Sequence, residues 1–510
     1  MSFKMVAGGF MSMNIKRDRP DDDEHLYRRV RSDTSMTTDD FRAAFLEHLY
    51  DRQSARQKYG PIDEWDVSKV TNMSGLFNLE RILTRTQRDV DIAREASAAF
   101  NDDITKWDTS SVTDMSNMFT GATAFNQPIN RSLNSWDTSK VQNMSSMFMG
   151  ASAFDKPIGG WVTGSVTDMS NMFMGATAFN QPIGGWDTSS VTNMKTMFAF
   201  AKAFDQKIGN WGNWETAEVV DMSGMFLEAS AFNRSLNSWD TSKVRNMSNM
   251  FLRALRFNGH VVGWDTSNVK SMAHMFSFAL FFNRDLNAWN TSRVESMSHM
   301  FANARKFNKP IGAWITGRVT DMHNMFGGAL EFNQPLAAWD TTNVRDMSCM
   351  FAESGFNQPI ARWETRRVTT MASMFEENVH FNQPIASWNT EQVTNMSLMF
   401  YVAMKFNQPL NAAHGHWSTK NVQDMDAMFF ASGFEPWPGP TRRTFHAGPP
   451  KYYHTVNTWD YSGVSSANVN LFGPPRFAHA TWSEMAVGHA NTLRSLKGHV
   501  HLLHRELDKT

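Results

Sequence analysis

Apolar residues recur along this chain at spacings of three and four, and the whole pattern restarts about every 25 residues. One clean copy reads Trp186-Asp187-Thr188-Ser189-Ser190-Val191-Thr192-Asn193-Met194, followed by Met197, Phe198, Ala201 and Phe204. With Trp counted as position 0, fourteen copies run from Trp65 to Trp417. Position +5 is Val, +8 is Met and +12 is Phe in every copy; +11 is Met and +2 is Thr in all but the first. A further Phe closes each unit, followed by Asn or Asp and often by Gln-Pro-Ile or Gln-Pro-Leu. Such a period predicts stacked units that cannot bury their apolar faces alone.

The Val, Met, Phe and Ala at +5, +8, +12 and +15 have helical spacing, which predicts a short helix of two to three turns in each unit, capped by Thr at +2 or Ser at +3. The Met rows read as adaptable core rather than thioether ligands. Pro128, Pro182, Pro310, Pro335 and Pro384 must precede or begin any strand. The apolar residue after Pro lies three before the Trp, so a corner is expected there, then a very short parallel strand at Trp-Asp-Thr with the +1 side chain outward. The fold class expected is an α/β solenoid of leucine-rich-repeat type, with one short parallel strand and one short helix per coil and helical caps at both ends. The Asn row after the closing Phe is expected to satisfy backbone groups where the chain turns.

The expected organisation has four parts. Residues 1–37 are a charged N-terminal segment, and residues 38–60 a capping helix opening at Thr38-Asp39-Asp40-Phe41, with Phe41, Phe45, Leu46 and Leu49 as its apolar stripe. Residues 61–434 are the repeats, with insertions between Phe77 and Phe100, at Asn130 to Leu133 and at Trp211 to Asn213. Residues 435–510 hold a Pro/Gly-rich stretch, a decayed repeat at Trp459-Asp460 with Phe472 near the expected Phe, and an amphipathic helix over Ser483 to Asp508.

The repeat Trp-Asp-Thr-Ser-x-Val-Thr-x-Met-Ser-x-Met-Phe, followed by Phe-Asn-Gln-Pro-Ile, resembles that of the BspA-like leucine-rich-repeat surface proteins over about three quarters of the chain. The resemblance implies a leucine-rich-repeat-like solenoid, an adhesive or protein-binding role and no catalytic residues. Many bacterial members carry a secretion signal and an anchor, and neither pattern is seen here.

Composition narrows the function classes. With 49 basic and 50 acidic residues the formal net charge is −1, which gives no broad footprint for nucleic acid or anionic lipid. No apolar run predicts a membrane span, and the N-terminal residues form no convincing signal sequence, so an intracellular or virion-associated location is favoured over secretion. A single cysteine, Cys349, excludes a disulfide framework within the chain. No phosphate loop, nucleophile elbow or zinc-finger spacing is present, so no enzyme, cofactor or metal centre is expected. His274 and His299 share position +10 with His323 one place off, and His501 and His504 share a helix face; these are read as surface residues.

The candidate binding row is +1, where nine of fourteen residues are acidic. Asp137, Asp187, Glu215, Asp240, Asp265, Asp340 and Glu364 would form an outward ridge, flanked at −1 by small residues such as Gly185, Gly263 and Ala288. Two readings stand side by side: the acids cap the start of the short helix, with Lys69, Lys140, Lys243, Arg293, Arg318 and Arg367 at +4 compensating the charge, or they bind a basic partner. The expected function is a non-enzymatic scaffold binding a protein or cell-surface ligand. The alternative is a wall, shell or virion component acting through self-association of the rod.

Overall fold

The structure is a computed structural model that describes residues 35–77, 87–130, 136–209, 213–410 and 417–433, with 459–460, 462–464 and 471. Helices lie only at the N-terminal end of these: α1 (Thr38–Tyr50), α2 (Arg52–Tyr59) and α3 (Gln87–Ala99), with a 3-10 turn at Ile62–Glu64. The N-cap of α1 is Thr37, one residue before the expected start, in a reciprocal capping box with Asp40. Asp51 caps α2 through bonds from the amides of Gln53 and Ser54. The stripe of α1 closes the first coil. Phe41 packs edge-on against Trp65 and Trp107, and Phe45 against Phe77, so the aromatic face of the first coil is covered. Arg42 bonds the side chains of Asn72 and Ser74, and His48 meets Asp102 at 2.7 Å.

From Trp65 onwards each repeat lies beside the next, joined by a parallel bridge at +7, from Asn72 with Asp114 to Asn395 with Asp424. Around the bridge the backbone bonds run between coils. The amide at +6 donates back to the preceding coil, as Lys270 to Arg245 at 2.9 Å. Those at +8, +10, +12 and +14 donate forward, as Met247 to Ser271, Asn249 to Ala273, Phe251 to Met275 and Arg253 to Ser277.

The short helix expected in each coil is not there, nor is a strand at Trp-Asp-Thr. In the place of the helix are consecutive tight turns closed by i to i+3 bonds: Met250 N to Met247 O, Leu252 N to Asn249 O and Ala254 N to Phe251 O. The residues at +10 and +14 have positive φ, as in Asn249 (60°) and Arg253 (58°). A left-handed residue at the third position of a turn is the type II signature, and it stops helix propagation. The helix reading failed for a definable reason. The turns Met247–Met250 and Phe251–Ala254 each aim both end residues inwards, so they place apolar residues three and four apart, as a helix face does. The missed signal was the Gly and Asn enrichment at the two left-handed places: Gly75 and Gly224, with Asn117, Asn171 and Asn249, at +10, and Gly121, Gly150 and Gly175 at +14.

The inward rows stack into columns. Successive Trp rings are parallel at 6.2 Å between Trp239 and Trp264, the +12 Phe rings at 5.5 Å between Phe251 and Phe276, and the closing Phe rings at 5.8 Å between Phe257 and Phe282. Within a coil, Phe251 and Phe257 lie face to face at 3.8 Å. The Val, Met and Phe rows are buried throughout, as is the Trp row. At the far end Trp459 packs against Phe429 at 6.0 Å, Thr419 Oγ1 bonds Asp460 O and Phe429 N bonds Leu471 O. Trp459, Asp460 and Leu471 thus lie against the last coil. Phe472 and the helix expected over Ser483 to Asp508 lie outside the described residues, as do the charged segment 1–34, most of residues 435–510 and the pair His501 and His504.

Candidate functional site

Three side-chain ladders surround the core and set how each coil presents its surface. The Thr at +2 points inward, and its hydroxyl donates to the +1 carbonyl of the next coil, as Thr241 to Asp265 at 2.9 Å and Thr266 to Asn290 at 3.0 Å. The Trp indole donates to the apolar residue before the preceding Trp, as Trp264 to Leu236 at 2.8 Å. The buried indoles of Trp161, Trp214 and Trp417 lack this bond. The Asn after the closing Phe accepts from the same position one coil on: Asn233 Oδ1 from Asn258 N at 2.8 Å and Asn258 Oδ1 from Asn283 N at 3.0 Å. This is the backbone-satisfying role expected of it. The following Gln donates to the preceding Asn, as Gln334 Nε2 to Asn308 O at 3.1 Å.

With Thr and Trp turned inward, the residue between them must face outward. Asp137, Glu215, Asp240, Asp265, Asp340 and Glu364 are exposed and Asp187 is half-buried, the row being interrupted by Val162, Asn290 and Ile315. Each Asp is also a turn cap. Asp240 Oδ1 accepts from Ser242 N at 2.9 Å, Asp265 Oδ1 from Ser267 N at 2.9 Å and Asp187 Oδ1 from both the amide and hydroxyl of Ser189. The bonds from Ser139, Ser189, Ser242 and Thr342 hold the carboxyls of Asp137, Asp187, Asp240 and Asp340 below the usual range, so these are ionised at neutral pH.

Two exceptions within the chain support the capping role. Where +1 is Val162 or Ile315, +3 is Gly164 or Gly317, so the residue that would be capped changes together with the cap. Each of these glycines is overlain by the next acid: an added Cβ would sit 2.8 Å from Asp187 Oδ2 or from Asp340 Oδ2. Val162 and Ile315 are themselves 57% and 59% exposed, which places apolar surface inside the acidic row. The small residues at −1 are of two kinds. A Cβ on Gly263 would meet Asn237 O at 3.0 Å, a tight contact, whereas nothing lies within 4 Å of one on Gly185.

Three of the basic residues at +4 bond along their own row and not to the acidic row. Lys243 Nζ bonds Glu218 and Arg367 bonds Asn343, both partners being at +4 of the preceding coil. Arg293 likewise bonds Asn268. These long side chains reach along their own row, and Lys140 and Lys243 act on Asp137 and Asp240 only as a minor through-space influence. His274 and His299 stack at 4.2 Å, and His323 meets His299 edge-on at 4.7 Å. His299 bonds Asn324 and His323 bonds Ser348, so their ring nitrogens serve surface hydrogen bonds. Among the described residues no group of three or more His, Cys, Asp or Glu could hold a metal ion. Burial pushes the Cys349 thiol up to about 12. No helix among the described residues is long and apolar enough to cross a membrane.

Sequence reasoning passed over a cluster of Lys207, Arg234, His260 and Arg284 at the corner before the Trp. These residues do not share one repeat position, so a reading by rows did not bring them together.

The repeats match the family described as "Mycoplasma protein of unknown function, DUF285" over residues 45–132, 129–213, 212–308, 281–355 and 336–435. No curated protein and no solved structure matches the chain.

Proposed function

The chain belongs to the DUF285 family of repeat proteins, and from that premise we propose that it is a non-enzymatic scaffold of leucine-rich-repeat-like, solenoid type, similar to the BspA-like proteins, which binds a protein or cell-surface ligand through its acidic row. The observation that carries this reading is the outward row itself. From Asp137 through Glu364, seven of ten coils place a carboxylate at this outward position, beside small exposed residues. Turn capping uses Oδ1, and the +4 residues Lys140 and Lys243 offset the charge of Asp137 and Asp240 only weakly. Coils at strand spacing, about 4.8 Å apart, set the carboxylates in a regular array that favours an extended basic partner and weakens with salt. Val162 and Ile315 supply apolar contact in the same line.

The test is capture of a partner from the source cells by the full chain and by the triple variant Asp187→Asn, Asp240→Asn and Asp265→Asn. Asn retains the capping acceptor, so the fold is expected to survive while capture is lost or falls at least tenfold. Undiminished capture by the triple variant would remove the row as the binding surface. Side-by-side self-association of the purified chain, with no partner captured, would favour the structural role instead.

A further inference from the structure

Four consecutive coils break the Asn-Gln-Pro frame at the corner before the Trp. In most other coils this corner keeps Pro, as at Asn180-Gln181-Pro182 or Asn333-Gln334-Pro335, with Lys156 and Lys309 replacing Gln in two of them; only Asn101-Asp102-Asp103 also lacks Pro. In the middle of the column it reads Asp205-Gln206-Lys207, Asn233-Arg234-Ser235, Asn258-Gly259-His260 and Asn283-Arg284-Asp285. Pro is lost from all four and cationic or ionisable side chains enter. Lys207, Arg234, Gly259, His260 and Arg284 line one open cleft of about 390 Å³. Because the chain as a whole is close to neutral, this concentration of basic groups is not a by-product of composition.

We infer that this cleft binds an oxyanion, a phosphate or sulfate group, seated over Gly259 between Arg234 and Arg284. These three residues occupy the same repeat position in successive coils. At that position Gln donates its amide to the preceding Asn or Asp carbonyl, as Gln181 does to Asp155. Arg234 makes the same bond with Nε to Asp205 O at 2.8 Å, and Arg284 with Nε to Asn258 O at 2.7 Å. The structural bond therefore needs only one nitrogen, and the rest of each guanidinium is additional. Arg234 uses Nη2 on Asp205 Oδ2 at 2.7 Å, which fixes its plane further. Between the two arginines stands Gly259, which lines the cleft without a side chain; its backbone is packed so closely that a Cβ would lie 2.1 Å from Arg234 O. Rows two coils apart are separated by about 10 Å, room for one tetrahedral oxyanion with a guanidinium on either side. Lys207 and His260, both exposed, lie one position further along the same corner. Asp285 stands beside Arg284 with its Oδ1 taken by Asn287 N. This site has the opposite charge to the acidic row and lies before the Trp rather than after it, so it stands independently of the proposed partner surface.

The experiment is calorimetric titration of the full chain with inorganic phosphate and, separately, inorganic sulfate. The comparison chains are the double variant Arg234→Gln with Arg284→Gln and the control Arg318→Gln, an exposed basic residue of the +4 row. Gln restores the common residue and its bond to Asn or Asp, so the double variant is expected to fold. Binding of either anion by the parent chain, weakened at least tenfold in the double variant and unchanged in Arg318→Gln, is the expected result, and the tighter anion identifies the source. No binding of either anion by the parent, or an equal loss in Arg318→Gln, would overturn the inference. If the double variant loses its fold, the single Lys207→Gln decides: a threefold or greater weakening supports the site, and unchanged affinity overturns it.

Discussion

The corner before each Trp and the corner after it are both lined by short polar residues, yet they do different work. After the Trp, Asp265 bonds Ser267, two residues along its own coil. Before it, Asn258 bonds the backbone of Asn283, one coil away, and accepts this bond in a half-buried setting. The first row shapes a turn and can vary, as Val162 and Ile315 do. The second joins coils and is Asn or Asp after every closing Phe from Phe100 to Phe406, both of which supply the required oxygen. A row whose bond stays inside its coil can afford to face a partner, and a row that joins coils cannot. Function at the joining corner therefore has to be added beside the Asn, where Gln and Pro stand, and Arg234 and Arg284 do this while keeping the bond.

Substitutions can test this division, and the core sets their scale. Phe251→Ala removes a ring stacked on both sides and should cost about 3–5 kcal/mol in equilibrium denaturation. Asn258→Ala strands the amide of Asn283 and is expected to cost about 1–3 kcal/mol. Asp265→Ala, which loses only an exposed cap, should cost about 1 kcal/mol. If urea denaturation ranked Asp265→Ala above Asn258→Ala, the contrast between the two corners would be broken.

The acidic row can be sharpened by pH. Asp137, Asp187, Asp240 and Asp340 have folded pKa values below the unfolded value of about 3.9. Their contribution is thus present above about pH 4 and is lost as the pH falls through the folded values. Glu376 has the opposite sign. Burial, with help from Glu377 and Glu353, raises its carboxyl, so its ionised form disfavours folding at neutral pH. Glu376→Gln should raise the melting temperature at pH 7, and the gain should vanish towards pH 4, where the unfolded carboxyl also becomes protonated. A smaller gain, up to about 1 kcal/mol, is expected from Val402→Gly. Val402 holds φ at 54°, where a β-branched residue is strained, and Gly relieves this at some cost in chain entropy.

The inside and outside of the coil were legible in the sequence because the rows are almost constant. Trp, Val, Met and Phe recur at fixed positions, and Asp between Trp and Thr has to face outward. The backbone path was not legible, because type II turns imitate the spacing of a helix face, and the left-handed places are filled by residues as different as Asn249, Arg253, Phe278 and Val402. The charge balance of the acidic row was misread for a similar reason. Proximity in sequence put Lys243 beside Asp240, whereas stacking put it beside Glu218. The basic cleft was hidden because its residues come from two adjacent repeat positions and meet only once the coils are stacked.

The most direct test of the division between the corners is the affinity of a captured partner measured against ionic strength for three chains: the parent, the Asp187→Asn, Asp240→Asn, Asp265→Asn triple variant and the Arg234→Gln, Arg284→Gln double variant. The account predicts that the triple variant loses at least tenfold in affinity and most of the salt dependence, while the double variant binds the same partner as the parent does. Equal affinity and equal salt dependence in the parent and the triple variant would contradict it.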